Sequence, residues 1–329
     1  MSDVSRRAAL MSLAAAPWWA HTEAHAQPAA YPNKGIRLVV PYPPAGGNDV
    51  LARGIKAQWE KAWNQTVVVE NKPGGNGTLG TEIVAKAPGD GYTLLMGSIA
   101  THVITPAMKG KNSRYHPTQD FTPVALVGNT PLILTVHPSV KANNLQEFIA
   151  LAKAKPDSIS YASVGNGSAG HLAGALFEQM AGVQMLHIPY KGIAQASTEL
   201  VGGQVNAAFS NVLNVLQQVR AGKLRALGVT SAQPLAILPD VPAIGKVLPG
   251  YLTELWWGLF APAGMPEAAV RKVNEETNRY LNDPESRKRW AEDGIALTPM
   301  SPADFGKLIA QDTQRWGDLI TRRKITEES

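Results

Sequence analysis

The stretch YASVGNGSAGHLAGALFEQMAG, residues 161–182, reads as a strand, a glycine-rich loop and a helix in that order. Its loop matches G-x-G-x-x-G at 165–170, and the same pattern recurs as GNGTLG at 75–80, again between a strand and a helix. A third loop of this kind, PYPPAGGNDVLAR (41–53), follows the run IRLVV. Glycine lets backbone N–H groups approach a ligand, and the helix behind adds roughly half a positive charge. All three loops are candidate anion sites.

The same pattern also opens dinucleotide-binding turns, which need an acidic residue about 20 residues further on to hold the ribose. The strands that follow the two loops are MLHIPYKG (185–192) and YTLLMGS (92–98), and neither ends in Asp or Glu. Neither loop has the G-K-[ST] of a phosphate-binding loop. Binding of a small anion is therefore favoured over a nucleotide, and tight turns without a ligand are the alternative.

Short apolar runs alternate with helix-like segments along the chain, which predicts an α/β fold with largely parallel sheets. Continuous apolar strands are expected where helices cover both sheet faces. The predicted strands are Ile36–Val40, Thr66–Glu70, Tyr92–Met96, Leu132–Val136, Ile159–Ser163, Met185–Pro189, Val205–Phe209, Leu224–Thr230 and Trp257–Ala261.

Capping residues precede several helical segments. Asn48, Asn144 and Ser301 are each predicted to cap a helix, since Ser and Asn accept hydrogen bonds from first-turn N–H groups. Composition offers no flexible linker, so any two lobes must share strands. Leu126–Leu134 and Leu224–Thr230 are the candidates to cross between them.

The first 26 residues carry two arginines, a short apolar run and Ala24-His25-Ala26, the order of a secretory signal. We expect a signal peptide over 1–26, cleavage near Ala26/Gln27 and a periplasmic protein, with either the general or the twin-arginine export route. The chain has no cysteine, which excludes disulfides and an acylated N-terminal cysteine.

The 329 residues carry a formal net charge of +5, and the basic residues are scattered. The cluster Arg322-Arg323-Lys324 is interpreted as a solvated C-terminus, and no nucleic-acid partner is expected. No G-x-S-x-G elbow, H-E-x-x-H motif or cysteine nucleophile occurs, and the histidines of the mature chain form no i, i+4 pair. We expect no enzyme activity, no metal and no cofactor.

Seven segments in order resemble the Bug proteins, also called the TctC family: solute receptors of tripartite tricarboxylate transporters. They are YPNKGIRLVVPYPPAGGNDVLAR, VVVENKPGGNGTLGTEIVAKAPGDGYTLLMGS, YASVGNGSAGHLAGALFEQMAG, HIPYKGIAQASTELVGGQVNAAFSN, AGKLRALGVTS, LPDVPAIGK and WWGLFAPAGMP. The resemblance implies a type II periplasmic binding protein, in which two α/β lobes joined by two crossing strands close over one ligand. Residues 27–128 with 232–329 would form lobe 1, and 129–231 lobe 2.

The resemblance and the glycine loops together place a carboxylate between the lobes. The expected ligand-binding residues are Pro44, Ala45, Gly46, Gly47, Asn48, Asp49, Gly75, Asn76, Ser98, Thr101, Ser163, Asn166, Gly167, Ser168, His171, Tyr190 and Asn211. For His171, an alternative role is a helix-terminal histidine satisfied by local backbone.

Three positions depart from the common family pattern. Ala45 stands where the family usually has glycine, and Asn76 falls in a cluster that often reads G-A-G-G. Asn211 replaces an aspartate found in many members. An aspartate there would suit an amino group on the ligand, so a neutral Asn211 favours a plain carboxylate or dicarboxylate.

The expected function is a periplasmic receptor that captures a small organic carboxylate and delivers it to inner-membrane transporter subunits. A receptor that presents its ligand to a membrane sensor kinase is the alternative, and an exported enzyme comes third. A monomer is expected. Mono-, di- and tricarboxylates all stay open as ligands.

Overall fold

The longest strand, β4 (Phe121–Val136), takes part in two sheets of the computed structural model, which describes residues 31–326. Its first part pairs with β9 (Glu254–Pro262) in the first sheet. Its second part, from Leu132 onward, pairs with β7 (Ala207–Asn211) and β8 (Arg225–Val229) in the second sheet. β4 is therefore one of the crossing strands, as predicted for the segment Leu126–Leu134. The predicted signal peptide, 1–26, lies outside the described residues.

The prediction that Leu224–Thr230 forms the second crossing strand is wrong. β8 lies in the second sheet alone, and the chain returns to the first sheet through residues 231–253 and β9, where Glu254 faces Pro131. An apolar extended run has the same sequence signature whether it crosses or stays within a sheet. The lobe boundaries at 128/129 and 231/232 stay a prediction.

The remaining strands are short and complete the two sheets. They are β1 (Ile36–Val40), β2 (Val67–Asn71), β3 (Thr93–Ser98), β5 (Ser160–Ser163), β6 (Leu186–Pro189) and β10 (Ala296–Leu297). The strand order is β2-β1-β3-β9-β4 in the first sheet and β4-β7-β5-β6 in the second, with β10 and β8 also paired to β4. β1 is parallel to β2 and β3, and β5 is parallel to β6 and β7. The carboxyl ends of these strands carry the loops that can bind a ligand.

Helices cover both sheets. They are α1 (Gly47–Trp63), α2 (Thr78–Ala85), α3 (Thr105–Lys109), α4 (Leu145–Ala154), α5 (Ala169–Ala181), α6 (Ile193–Val201), α7 (Val212–Arg220), α8 (Glu267–Asn282), α9 (Pro284–Glu292) and α10 (Pro302–Arg323). A π-helical turn, Ala100–Ile104, precedes α3. None of the helices in 31–326 is both long and apolar enough to span a bilayer.

Two of the three predicted helix caps are confirmed. Asn144 Oδ1 accepts from Glu147 N at 2.9 Å, and Ser301 Oγ accepts from Asp304 N at 3.1 Å. The prediction for Asn48 is wrong, because α1 begins at Gly47 and has Gly46 as its N-cap. The Asn48 amide instead donates to Met96 O at 2.8 Å and ties the start of α1 to β3.

The C-terminal helix α10 connects the two lobes. Trp316 and Ile320 belong to one buried cluster with Phe260 of the first sheet and Phe209 of the second. At the end of the helix, Arg323 Nη2 lies 3.3 Å from Glu178 Oε2 on α5. The interpretation of this end as solvated is therefore wrong for Arg323. The ion pair could not be predicted from local sequence patterns, because Glu178 precedes Arg323 by more than 100 residues.

We expect Arg323→Ala to lower the free energy of unfolding by about 1–2 kcal/mol, because it leaves a largely buried carboxylate without its cation. Burial raises the pKa of Glu178, and the Met185 N–H and Arg323 act in the opposite direction. The matched control is Arg322→Ala, whose ion pair with Asp318 is exposed on both sides. Urea unfolding would measure both variants, and equal losses would contradict the bridging role of Arg323.

Candidate ligand-binding cleft

Two cavities open at the strand ends, one in each lobe, and Leu255 at the start of β9 lines both. The first-lobe cavity, of about 430 Å³, is lined by Tyr42, Pro43, Pro44, Gly46, Gly47, Asn48, Ser98, Ile99, Ala100, Leu255, Trp256 and Trp257. The second-lobe cavity, of about 280 Å³, is lined by Leu132, Ala162, Ser163, Val164, Ala169, Gly170, Ile193, Ala196, Ser197, Leu200, Ala208, Phe209, Ser210, Asn211, Asn214 and Leu255. Within the described chain, no charged side chain lines either cavity.

Asp49 shapes the loop at the entrance of the first-lobe cavity. Its carboxylate accepts from Ala45 N at 3.0 Å, from Arg53 Nε at 2.9 Å and from Asn71 Nδ2 at 3.0 Å. Burial opposes ionisation of Asp49, but these hydrogen bonds outweigh it and lower the pKa of the carboxyl. The bond to Ala45 also holds that residue in a left-handed conformation, with φ of 67°, which costs an alanine about 1 kcal/mol. Asp49 therefore positions the loop and is not itself part of the cavity wall.

The start of α1 supplies the donors of the first-lobe cavity. Its N-cap, Gly46, has no side chain to cap the helix, and the first helical residues, Gly47 and Asn48, line the cavity. A Cβ at Gly47 would lie 2.8 Å from Trp257 Cζ2, so only glycine lets this backbone reach the indole. Ser98, which is 5% exposed, has a hydroxyl oxygen without a hydrogen-bond partner among residues 31–326. A backbone cradle and a free hydroxyl thus lie in one cavity.

Ser163 anchors the loop at the second-lobe cavity. Its Oγ accepts from Gly165 N at 3.1 Å and lies 2.7 Å from His187 Nε2. His171 Nδ1 accepts from Gly167 N at 3.1 Å, and the two imidazole rings stack with centroids 3.8 Å apart. The local backbone therefore supplies a hydrogen-bond partner for His171, which was the alternative role predicted from the sequence. The side chain lies behind the cavity wall.

Three helices begin at the second-lobe cavity: α5 at Ala169, α6 at Ile193 and α7 directly after Asn211. Their dipoles place partial positive charge there without a charged side chain. Asn211 occupies the N-cap position of α7, yet its side chain caps no N–H in the described structure. Its Oδ1 is buried and has no partner within the described part of the chain. The residue is thus free to contact a ligand.

Some of the predicted ligand-binding residues line the two cavities. Pro44, Gly46, Gly47, Asn48 and Ser98 line the first-lobe cavity, and Ser163 and Asn211 line the second. The others lie outside both linings: Ala45, Asp49, Gly75, Asn76, Thr101, Asn166, Gly167, Ser168, His171 and Tyr190.

The loop GNGTLG is one of these exceptions, although it shares its pattern with GNGSAG. It folds on itself as a turn, with Gly77 N donating to Gly74 O at 3.1 Å and Thr78 N to Gly75 O at 3.0 Å. The loop PPAGGND lines the first-lobe cavity in its place. Thr101 also turns inward, since its Oγ1 accepts from Ser98 N at 3.0 Å and donates to Ser98 O.

Sequence reasoning missed the apolar wall of the cleft, above all Trp257, Leu255 and Ile193. Large apolar side chains are mostly buried in the core, so a tryptophan in the sequence does not by itself indicate a cleft. Alternation along β9 places Leu255 and Trp257 on the same sheet face, a signal that could have identified these two as a pair. Trp256 is 3% exposed and donates through Nε1 to Asp312 at 2.8 Å.

A family model described as the tripartite tricarboxylate transporter family receptor matches residues 51–325. The chain belongs to this TctC family. BugT of Bordetella pertussis is 33% identical to it over 291 residues, an alignment that covers 88% of this chain and 89% of BugT. This is a family of binding proteins, in agreement with the two cavities at the strand ends.

Solved structures of the family have the same fold. The periplasmic binding protein BugD is 32% identical, with a TM-score of 0.70, and the match covers 90% of this chain and 99% of BugD. An R. palustris protein solved with adipate is 31% identical, with a TM-score of 0.75 and coverage of 90% and 99%. MatC from Rhodopseudomonas palustris with bound malate is 32% identical, with a TM-score of 0.71 and coverage of 88% and 100%. This TctC protein therefore has the type II periplasmic binding fold.

Proposed function

We propose that this TctC protein is a periplasmic receptor that captures a small organic carboxylate in the cleft and delivers it to inner-membrane transporter subunits. The observation that carries the proposal is the pairing of helix N-termini with unpartnered polar atoms, Ser98 Oγ and Asn211 Oδ1, in cavities without charged side chains. Backbone N–H groups at helix starts bind carboxylates well. Relatives solved with adipate and malate support this class of ligand.

Binding would act on the equilibrium between open and closed lobes. A carboxylate that contacts both lobes favours the closed form by its higher affinity for that form. Leu255 and Pro131, where β9 meets β4, lie at the junction about which the lobes would move. Export would precede this function, and the intact mass of protein recovered from the periplasm should correspond to a chain beginning at Gln27.

A thermal-shift screen against mono-, di- and tricarboxylates, amino acids and NAD tests the proposal. A ligand at 100 times its Kd should stabilise the protein by about 2.7 kcal/mol, which raises the Tm by a few degrees. We expect carboxylates alone to act, and Ser98→Ala and Asn211→Ala each to weaken binding about tenfold without changing the Tm of the free protein. Wild-type affinity in both variants would contradict this cleft, and a shift with NAD alone would contradict the function.

A further inference from the structure

The loop GNGSAG (165–170) packs against a methionine of the other lobe. A Cβ at Gly167 would overlap Met108 Sδ and lie 2.7 Å from Met108 Cε, so the thioether lies directly on the Gly167 backbone. Met108 belongs to α3, which follows β3 of the first sheet, whereas the loop follows β5 of the second sheet. The contact therefore joins the two lobes at the loop that leads to Ala169 and Gly170 in the lining of the second-lobe cavity.

Two backbone hydrogen bonds hold the loop in place over Met108. Gly167 has a left-handed conformation, with φ of 69°, and its N–H donates to His171 Nδ1 at 3.1 Å. Ser168 N donates to Gly165 O at 3.2 Å, and the Ser168 side chain caps α5 by accepting from His171 N. The position of the start of α5 therefore depends on the loop conformation that Met108 supports.

The Met108 thioether is also within reach of solvent. Met108 is partly exposed, although it packs against the buried cluster that joins the lobes. Three other methionines in the described part of the chain are more than nine-tenths buried: Met96, Met185 and Met265. The chain has no cysteine, so thioethers are the sulfur groups that an oxidant can reach. Met108 thus combines exposure with a contact between the lobes.

We infer that Met108 is an oxidation site at which a peroxide weakens the contact between the lobes. The sulfur lone pair attacks one oxygen of hydrogen peroxide, and an S–O bond forms as the O–O bond breaks. The attacked oxygen passes its proton to the other oxygen, which leaves as water. The thioether loses two electrons and the peroxide gains them, so the step needs no further reactant.

The sulfoxide has a polar oxygen that this contact cannot accommodate. The Gly167 N–H already donates to His171 Nδ1, and the other atom near the contact is a methyl carbon, Ile104 Cγ2. A polar oxygen buried there would lose its hydration without gaining a donor. The oxidised side chain must therefore turn towards solvent, which leaves the loop and the start of α5 without their support.

Hydrogen exchange before and after treatment with hydrogen peroxide tests the inference without a ligand. Peptide mass spectrometry should show Met108 oxidised at least about tenfold faster than the fully buried Met96. The N–H groups of Gly167 and Ser168 should then exchange about tenfold faster, and a methionine sulfoxide reductase should restore slow exchange. Oxidation of Met108 no faster than that of Met96, or unchanged exchange after oxidation, would overturn the inference.

Two leucine variants identify the responsible methionine. Met108→Leu keeps an apolar side chain of similar size but cannot form a sulfoxide, so peroxide should leave exchange in the loop unchanged. The matched control is Met300→Leu, which removes a partly exposed methionine next to the N-cap of α10 and should respond as the wild type does. Faster exchange in peroxide-treated Met108→Leu would overturn the role of Met108. The wild-type measurements decide the inference even if this variant fails to fold.

The effect of oxidation on ligand binding rests on the proposed receptor function and is measured separately. Calorimetric titration with adipate and with malate, the acids bound in two relatives, should show about tenfold weaker binding after oxidation of the wild type. Met108→Leu should show no change. Unchanged affinity in protein oxidised at Met108 would overturn the effect on binding and leave the receptor function intact. If neither acid binds the untreated protein, the receptor proposal loses support, whereas hydrogen exchange still decides the oxidation site.

Discussion

Lowering the pH from about 6.5 to about 5 is expected to reduce the free energy of unfolding by about 3 kcal/mol. Three histidines are held neutral inside the fold. Burial lowers the pKa of His102 to about 3, and burial together with the neighbouring His187 and Arg323 lowers the pKa of His171 to about 3. Burial lowers the pKa of His187 itself to about 4. In the unfolded chain each would bind a proton near pH 6.5.

Because these folded-state pKa values lie below the unfolded value, stability is complete above about pH 6.5 and falls with acidification until the folded groups titrate near pH 3–4. Each fully buried histidine contributes about 1.4 kcal/mol per pH unit in this range. His102 and His171 carry most of the effect, since His187 is only partly buried. Protonation of His171 would also remove its Nδ1 as the acceptor for Gly167 N, in the loop that leads into α5.

Urea unfolding between pH 7 and pH 5 would measure this dependence. His171→Gln should reduce the steepness by about one histidine's share, or 1.4 kcal/mol per pH unit. His116→Gln is the matched control, because the His116 side chain is exposed in the folded protein. Equal steepness in the wild type and in His171→Gln would show that His171 is not a source of the acid sensitivity.

Replacing Gly170 by alanine is expected to cost about 1–3 kcal/mol of stability and to weaken ligand binding at least about tenfold. A Cβ at Gly170 would lie 2.6 Å from Phe209 O, a distance that side chains essentially never reach. Phe209 belongs to β7, which is paired on both sides by β4 and β5, so its carbonyl cannot move aside. The start of α5 must move instead, and this withdraws its N–H groups from the second-lobe cavity.

Gly317→Ala on α10 is the matched control. No atom lies within 4 Å of the position of its added Cβ, and alanine is a better helix former than glycine by about 1 kcal/mol. The control should therefore gain stability while Gly170→Ala loses it. Thermal unfolding and titration with the best carboxylate would measure both variants. A Gly170→Ala protein with wild-type stability and affinity would contradict the close contact between α5 and β7.

The sequence by itself determined the α/β class, the positions of the short strands, two of the three helix caps and the family. These properties depend on residues close together in the chain: an apolar run, a cap such as Asn144, or a strand–loop–helix unit like 161–182. The interactions that produce them are local hydrogen bonds and side-chain periodicity. They can therefore be inferred from the order of residues alone.

Only the tertiary structure decided which loops form the cleft. GNGTLG and GNGSAG have the same pattern, yet GNGTLG folds on itself while the PPAGGND loop lines the first-lobe cavity. The contacts of Gly47 with Trp257 and of Glu178 with Arg323 likewise join residues more than 100 positions apart. Their partners are set by how the two sheets and α10 pack together, and no local pattern records that packing. The residues that line the two cavities therefore could be identified only from the folded chain.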